Sequence, residues 1–233
     1  MELQELYKQY RNEQMIFVNE KIIKSLEREA IINSAKALDM IDDKGNIIYD
    51  DESDLNYILD FAIYEYKING KNAVERYAEK HAPENEMEER ALKALLNSYT
   101  SLYRVVNISP SKPVIFLKDT FNQSKNIRLV DISLSKTMGI SSLIYTRVLP
   151  YPELNMTSGA PMIFDDSLET SLTSSYMMLA KEKIEDSSAN KYIFFYNAYR
   201  MYGLEMGFSH THHHEHDHHH DHHGHHHHGH HHH

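Results

Sequence analysis

From His210 to His233, 18 of 24 residues are histidine, and the other six (Thr211, Glu215, Asp217, Asp221, Gly224 and Gly229) bring no large apolar side chain. A stretch with nothing to bury cannot offset the conformational entropy that folding costs. It is expected to be disordered without a ligand, so any fold must be built by the residues before it. Those residues are equipped for the task. The chain is 41% hydrophobic and 25% charged over 233 residues, which allows a sizeable core in one compact domain or two small ones.

Neutral imidazole is a common ligand for divalent transition metals. The candidate ligands are His210, His212, His213, His214, His216, His218, His219, His220, His222, His223, His225, His226, His227, His228, His230, His231, His232 and His233, with carboxylate oxygens from Glu215, Asp217 and Asp221. Almost any three or four of these can meet around one ion. Many overlapping sites, several labile ions per chain and weak selectivity are expected. Affinity should follow the Irving–Williams order, with Cu(II) above Ni(II) and Zn(II). Ni(II) or Zn(II) is the expected cargo, and Cu(II) or Co(II) satisfies the same ligands. Protons compete for the same nitrogens, whose ordinary pKa is about 6.5, so metal should be released on acidification.

Three blander readings compete with metal storage, buffering or delivery. A purification tag is usually an uninterrupted run, whereas the longest run here is four and acids and glycines divide it. The segment can also be an extension that binds metal without a cellular role, or a pH-sensing or solubilising tail.

The body offers less chemistry. The formal charge is −10, and removing the tail's three acids leaves −7 for residues 1–209. That balance argues against a nucleic-acid partner, which needs a clustered basic surface. No cysteine is present, which excludes disulfides, thiolate metal sites and a cysteine nucleophile. His81 is the one histidine outside the tail, so the body cannot form a multi-histidine centre. Its place beside Pro83 suits the negative end of a helix. Zincin, nucleophile-elbow, phosphate-loop and dinucleotide motifs are all absent. No catalytic residue and no cofactor site is assigned. The start, Met1-Glu2-Leu3-Gln4, does not read as a signal peptide. No run approaches the roughly 18 apolar residues of a membrane span. A cytoplasmic location without membrane contact is the expectation.

The periodicity predicts a long helix over residues 1–42 with room for one break, and a turn at 42–46. A second helix starts after Ser53 as N-cap, with a stripe of Leu55, Ile58, Leu59, Ala62, Ile63 and Tyr66. A short helix spans 73–80. Another starts after Pro83, with Glu84, Glu86, Glu88 and Glu89 in its first turns, and reaches at least Tyr99. Strand-like segments follow at 103–108, 114–117, 127–132 and 143–149, with an edge strand at 161–164. Helix returns at 168–186 and 189–206, the last unusually aromatic at Tyr192-Ile193-Phe194-Phe195-Tyr196, which reads as a helix buried on most sides, with an exposed partner-binding face as the alternative. The fold class expected is α+β: mostly helical, with one small antiparallel β-sheet or barrel unit in the middle. The divisions are a helical region at 1–100, the β unit at 101–165, a helical region at 166–208 packing on both, and the tail at 209–233.

Two polar sets within the body invite a functional reading. The pairs Asp42/Asp43, Asp50/Asp51 and Asp165/Asp166 sit at turns, where capping explains them better than acid/base chemistry. Arg104, Lys118, Arg128 and Arg147, with Tyr103 and Tyr145, could line an anionic-ligand surface, although scattered strand-face charges fit the acidic balance better.

The stretch Leu92-Lys93-Ala94-Leu95-Leu96-Asn97-Ser98-Tyr99-Thr100-Ser101-Leu102-Tyr103-Arg104-Val105-Val106, then Phe116-Leu117-Lys118-Asp119 and Leu143-Ile144-Tyr145-Thr146-Arg147-Val148-Leu149, resembles a group of uncharacterised prokaryotic proteins. In that group a helical region leads into a small β unit, and some members end in a cysteine-rich, zinc-binding SEC-C tail. The similarity covers about residues 90–165. It carries over no catalytic residue. The resemblance implies histidines in the place of a metal-binding cysteine tail, with a chaperone- or adaptor-like role by analogy. Divalent metal ions are the expected partners, alongside a protein partner or self-association. The alternative is a protein-interaction module with an incidental tail, and an enzyme with an unrecognised pocket comes last.

Overall fold

A computed structural model describes residues 2–49, 51–124, 126–182 and 187–204. The tail segment 209–233 lies outside them. The fold is the α+β class expected, helical at both ends of the described chain with a small β barrel between.

Helix α1 (Leu3–Phe17) passes directly into one turn of π-helix (Val18–Ile22) and a turn of 3-10 helix (Ile23–Ser25) before α2 (Arg28–Ala37). The expected break falls at Leu26, where the backbone turns extended. The turn at 42–46 closes because the Asp42 carboxylate accepts from the backbone N–H groups of Lys44 and Asn46. Gly45 takes φ +84 there, a region open to glycine at little cost. Bonds from Asn46 and its neighbours hold the Asp42 carboxyl below its ordinary range.

Helices α3 (Asp54–Tyr64), α4 (Ala73–Lys80) and α5 (Glu86–Leu96) follow. Ser53 sits at the N-cap of α3, but its side chain caps nothing; instead Asp51 accepts from the Ser53 N–H. Helix α4 begins with a reciprocal capping box between Asn72 and Glu75. Helix α5 stops at Leu96, short of the expected Tyr99, because Tyr99 and Thr100 are claimed by a strand and pair with Val148 and Arg147.

The strands are β1 (Tyr99–Ile108), β2 (Val114–Asp119), β3 (Asn126–Val130), β4 (Leu143–Pro150), β5 (Asn155–Thr157) and β6 (Met162–Phe164). A four-residue helix, α6 (Leu134–Thr137), lies between β3 and β4. Strand β1 pairs with both β2 and β4, β3 pairs in parallel with β5, and β5 pairs with β4. The ring therefore closes in the order β1-β2-β3-β5-β4, with β6 added beside β4. This order, with a helix between the third and fourth strands, is that of an OB-type Greek-key barrel. One seam is parallel, so the unit is not wholly antiparallel.

A bulge at Val106 makes the ring possible. Val105 faces Leu117, yet Asn107 faces Phe116. The extra residue bends β1 and returns Ile108 to the inside, alongside Tyr103 and Val105. Ile115, Leu117, Ile127, Leu129, Ile144 and Val148 complete the interior, and Leu134 and Met138 pack on it from α6. Outside, Leu102, Leu143, Tyr145, Met162 and Phe164 pack against α3, α7 (Glu169–Glu182) and α8 (Ser188–Tyr202). The aromatic helix α8 is buried along Tyr192, Phe195 and Tyr196, as its composition predicts, with the Tyr145 and Phe195 rings stacked at 4.4 Å. In α7 the buried positions are Leu172 and Tyr176, while Met178 is exposed. Tyr7 and Tyr10 of α1 pack with Leu149, Leu154 and Met156 at a second face of the barrel.

Among the described residues no helix is long and apolar enough to cross a membrane.

Candidate functional site

Every candidate metal ligand from His210 to His233, with Glu215, Asp217 and Asp221, lies outside the described residues. Among the described residues no group of three or more histidine or acidic side chains could hold a metal ion. His81 is exposed at the C-terminal end of α4, its ring stacked on Tyr77 at 4.6 Å.

The basic set of the β unit does not form one surface. Arg147, Tyr103 and Tyr145 are buried. Arg104 is engaged by Glu169, with 2.6 Å between its Nε and the carboxylate. Lys118 and Arg128 remain on the outer face, flanking the exposed Phe116. Of the acidic pairs, Asp42, Asp51 and Asp165 accept backbone N–H groups at turns, and Asp50 lies outside the described residues. Asp165 accepts from the side chain and N–H of Ser167, which holds its carboxyl below the ordinary range.

A different place gathers buried chemistry, between α1 with its π turn, α3, and the link from β5 to β6. There a cavity of about 320 Å³ is lined by Arg11, Gln14, Val18, Asn19, Asn56, Leu59, Asp60, Ile63, Tyr64 and Ser158–Ala160. Irregular backbone borders it. Turns of π-helix are rare and recur at functional sites, and Val18 and Asn19 belong to this one. Gly159 takes φ +114, which side-chain-bearing residues rarely adopt, so the chain can turn between β5 and β6.

Two charge clusters hold the cavity together. In the first, Arg11 reaches the barrel from α1. Its guanidinium donates to the Gln14 side chain, the Thr157 carbonyl and hydroxyl, the Tyr7 hydroxyl and the Asp131 carboxylate. Asp131 also caps α6 by accepting from the Leu134 N–H at 2.9 Å. In the second, Arg147 projects from β4 into the helical layer. It is paired with Glu65, lies 3.5 Å from the Asp60 carboxylate, and places its guanidinium 4.1 Å from the Tyr64 ring centroid. Glu65 in turn accepts from the Ser188 hydroxyl at 2.6 Å.

Two carboxylates thus share one guanidinium in a dry setting. Burial pushes the Asp60 carboxyl up, and Glu65 adds to that, while Arg147 and the Ser158 hydroxyl pull it back without cancelling the rise. Burial works against the charge on Arg147, but Asp60 and Glu65 outweigh it and hold the guanidinium protonated beyond its ordinary range. Burial, with help from Asp60, likewise raises the Tyr64 phenol. Of the second cluster, Asp60 is the carboxylate that faces the cavity.

A larger groove of about 620 Å³ runs between α5 and the β4–β5 turn at Pro150, Tyr151 and Pro152. Of its charged lining residues, Arg90 donates to both Glu13 oxygens at 3.0 and 3.1 Å.

Comparison with known families places the chain. A family of unknown function, DUF7986, matches residues 1–209, and the chain belongs to that family. The match covers the helices, the barrel and the cavity, and it stops before His210. No curated protein and no solved structure matches the chain.

Proposed function

We propose that this member of the DUF7986 family is a cytoplasmic, labile binder of divalent transition metals, with Ni(II) or Zn(II) as the leading cargo and its ligands confined to the tail. The observation that carries the reading is compositional: 18 histidines in 24 residues. Three or four imidazoles suffice for one site, so several ions bind per chain and exchange among overlapping sites. Cu(II) and Co(II) compete for the same nitrogens. The body holds the tail and docks to a protein partner or to a second copy.

Calorimetric titration of Ni(II) into the full chain and into residues 1–209 tests this. At about pH 7.5 the full chain takes up several ions and the shortened chain takes up none. Near pH 5 uptake by the full chain collapses, because protonated imidazole is no ligand. Equal uptake by the two chains, or equal affinity at the two pH values, defeats the reading.

A second reading is favoured by one observation: the family match ends before the tail. Whatever the family shares is then carried by the body, which acts as an interaction module with an incidental tail. Deleting residues 210–233 separates the two in the cell. A growth defect that tracks nickel or zinc supply supports the first, and no defect under any metal regime supports the second.

A further inference from the structure

The buried acidic and basic groups around the α1–α3 cavity are unequal in number. Arg11 is matched by Asp131, and its two terminal nitrogens already donate to Gln14, Thr157, Tyr7 and Asp131. Arg147 is shared by Glu65 and Asp60. The two clusters together hold three carboxylates against two guanidinium groups. The better contact goes to Glu65, and Asp60 is left with a long approach of 3.5 Å to Arg147 and the Ser158 hydroxyl as its other partner. An ionised carboxylate offers about four acceptor sites, so Asp60 keeps capacity to accept from a donor in the cavity it faces. The remaining walls there are largely apolar, from Val18, Leu59 and Ile63. A cavity of about 320 Å³ lies at the small end of ligand-binding sites, where a mainly apolar lining and a few convergent polar groups are the rule.

We propose that this cavity binds a small organic cation, a protonated amine on a short aliphatic body, with the ammonium on Asp60 and the aliphatic part against Val18, Leu59 and Ile63. An anion is disfavoured, since the guanidinium that lines the cavity is paired with Asp131 and its terminal nitrogens are already bonded within the protein. The site is independent of the tail and of its metal chemistry.

The mouth of the cavity provides the test. Asn56 is exposed and lines it, and it lies one helical turn before Asp60, on the same face of α3. A charge placed at Asn56 acts on a bound cation without entering the buried cluster. The probe is n-butylammonium, with butyrate and n-butanol as controls. It is titrated into isotopically labelled full chain in metal-free buffer and followed by amide chemical shifts. Saturable shifts in the millimolar range or tighter, centred on Val18, Asn19 and Ser158, are expected for the amine. Asn56→Lys weakens binding by roughly threefold to twentyfold and Asn56→Asp strengthens it in the same range, as a unit charge several ångströms away in a medium of intermediate dielectric implies. Asp60→Asn abolishes the shifts; should that variant fail to fold, the Asn56 pair still decides. The proposal is overturned if the amine gives no saturable shifts, if butyrate or butanol binds as tightly, or if the two Asn56 variants move the affinity in the same direction.

Discussion

Arg147→Met puts the architecture of the buried cluster under direct test. The arginine side chain is 6% exposed, and its partners Asp60 and Glu65 are 6% and 1% exposed. Methionine fills much of the same volume but leaves two carboxylates facing each other in the barrel–helix interface. Removing one partner of a buried ion pair costs about 3–5 kcal/mol, because the charge left behind is uncompensated. The lost stacking on Tyr64 falls within that range rather than adding to it. For a body of this size 1 kcal/mol moves Tm by about 2–4 °C, so a fall of roughly 6–20 °C is expected. Urea unfolding should be followed by far-ultraviolet circular dichroism, since the chain has no tryptophan. The decisive comparison adds Asp60→Asn and Glu65→Gln to Arg147→Met. With the orphaned charges gone, most of the loss, about 2–3 kcal/mol, should return. If Arg147→Met costs less than about 1 kcal/mol, or if the triple variant is no more stable than the single one, the cluster is not the electrostatic junction described.

Other consequences are quicker to check. Because Asp60 carries a raised pKa in the folded chain, the fold holds its proton to higher pH than the unfolded chain does. Stability should therefore decline as pH rises from the ordinary carboxylate range through the raised value, and Asp60→Asn should flatten that decline in urea midpoints measured across pH. Leu134→Ala removes a buried side chain from the α6 end of the barrel core and should cost about 2–5 kcal/mol in urea unfolding, with no change in Ni(II) uptake. Asn72→Ala breaks the capping box of α4 and should cost about 1 kcal/mol by the same assay. Burial and the bond to Glu153 push the Tyr10 phenol up to about 12. In ultraviolet titration of the native chain, its ionisation should lag well behind that of an exposed tyrosine.

The parts of this fold readable in one dimension are those fixed by neighbours. Helix α4 was bounded to the residue, since its apolar spacing and the extended backbone before Pro83 act within ten positions. The aromatic run at 192–196 pointed to burial, and Tyr192, Phe195 and Tyr196 are buried. What failed to show was set at a distance. Tyr99 and Thr100 look like the end of a helix until β4 supplies partners more than forty residues later. Strand β5 has three residues among Pro, Asn and Gly, too few for any alternation to register. The cavity was hidden for the same reason, as Arg11, Asp60 and Ser158 approach one another only after the barrel docks on the helices. Two local signals did exist. Asp60 is the lone acid in the stretch from Leu55 to Tyr64, and Arg147 interrupts an apolar strand. A charge set in a segment otherwise bound for the interior needs a partner, and the two meet at 3.5 Å in a cluster that Arg147 shares with Glu65.

Strand pairing around the ring is uneven. The seam between β3 and β5 rests on the single pairing of Leu129 with Asn155, backed by the Asn155 amide donating to the Arg128 carbonyl at 3.0 Å, whereas β1 and β4 are matched over six positions. Amide hydrogens should exchange with deuterated solvent first where the belt is thinnest. Strand β5 runs straight into Ser158 and Gly159 at the cavity wall, so loosening that buckle also loosens the wall. A molecule lodged against the wall would then slow exchange along β5, at residues it never touches.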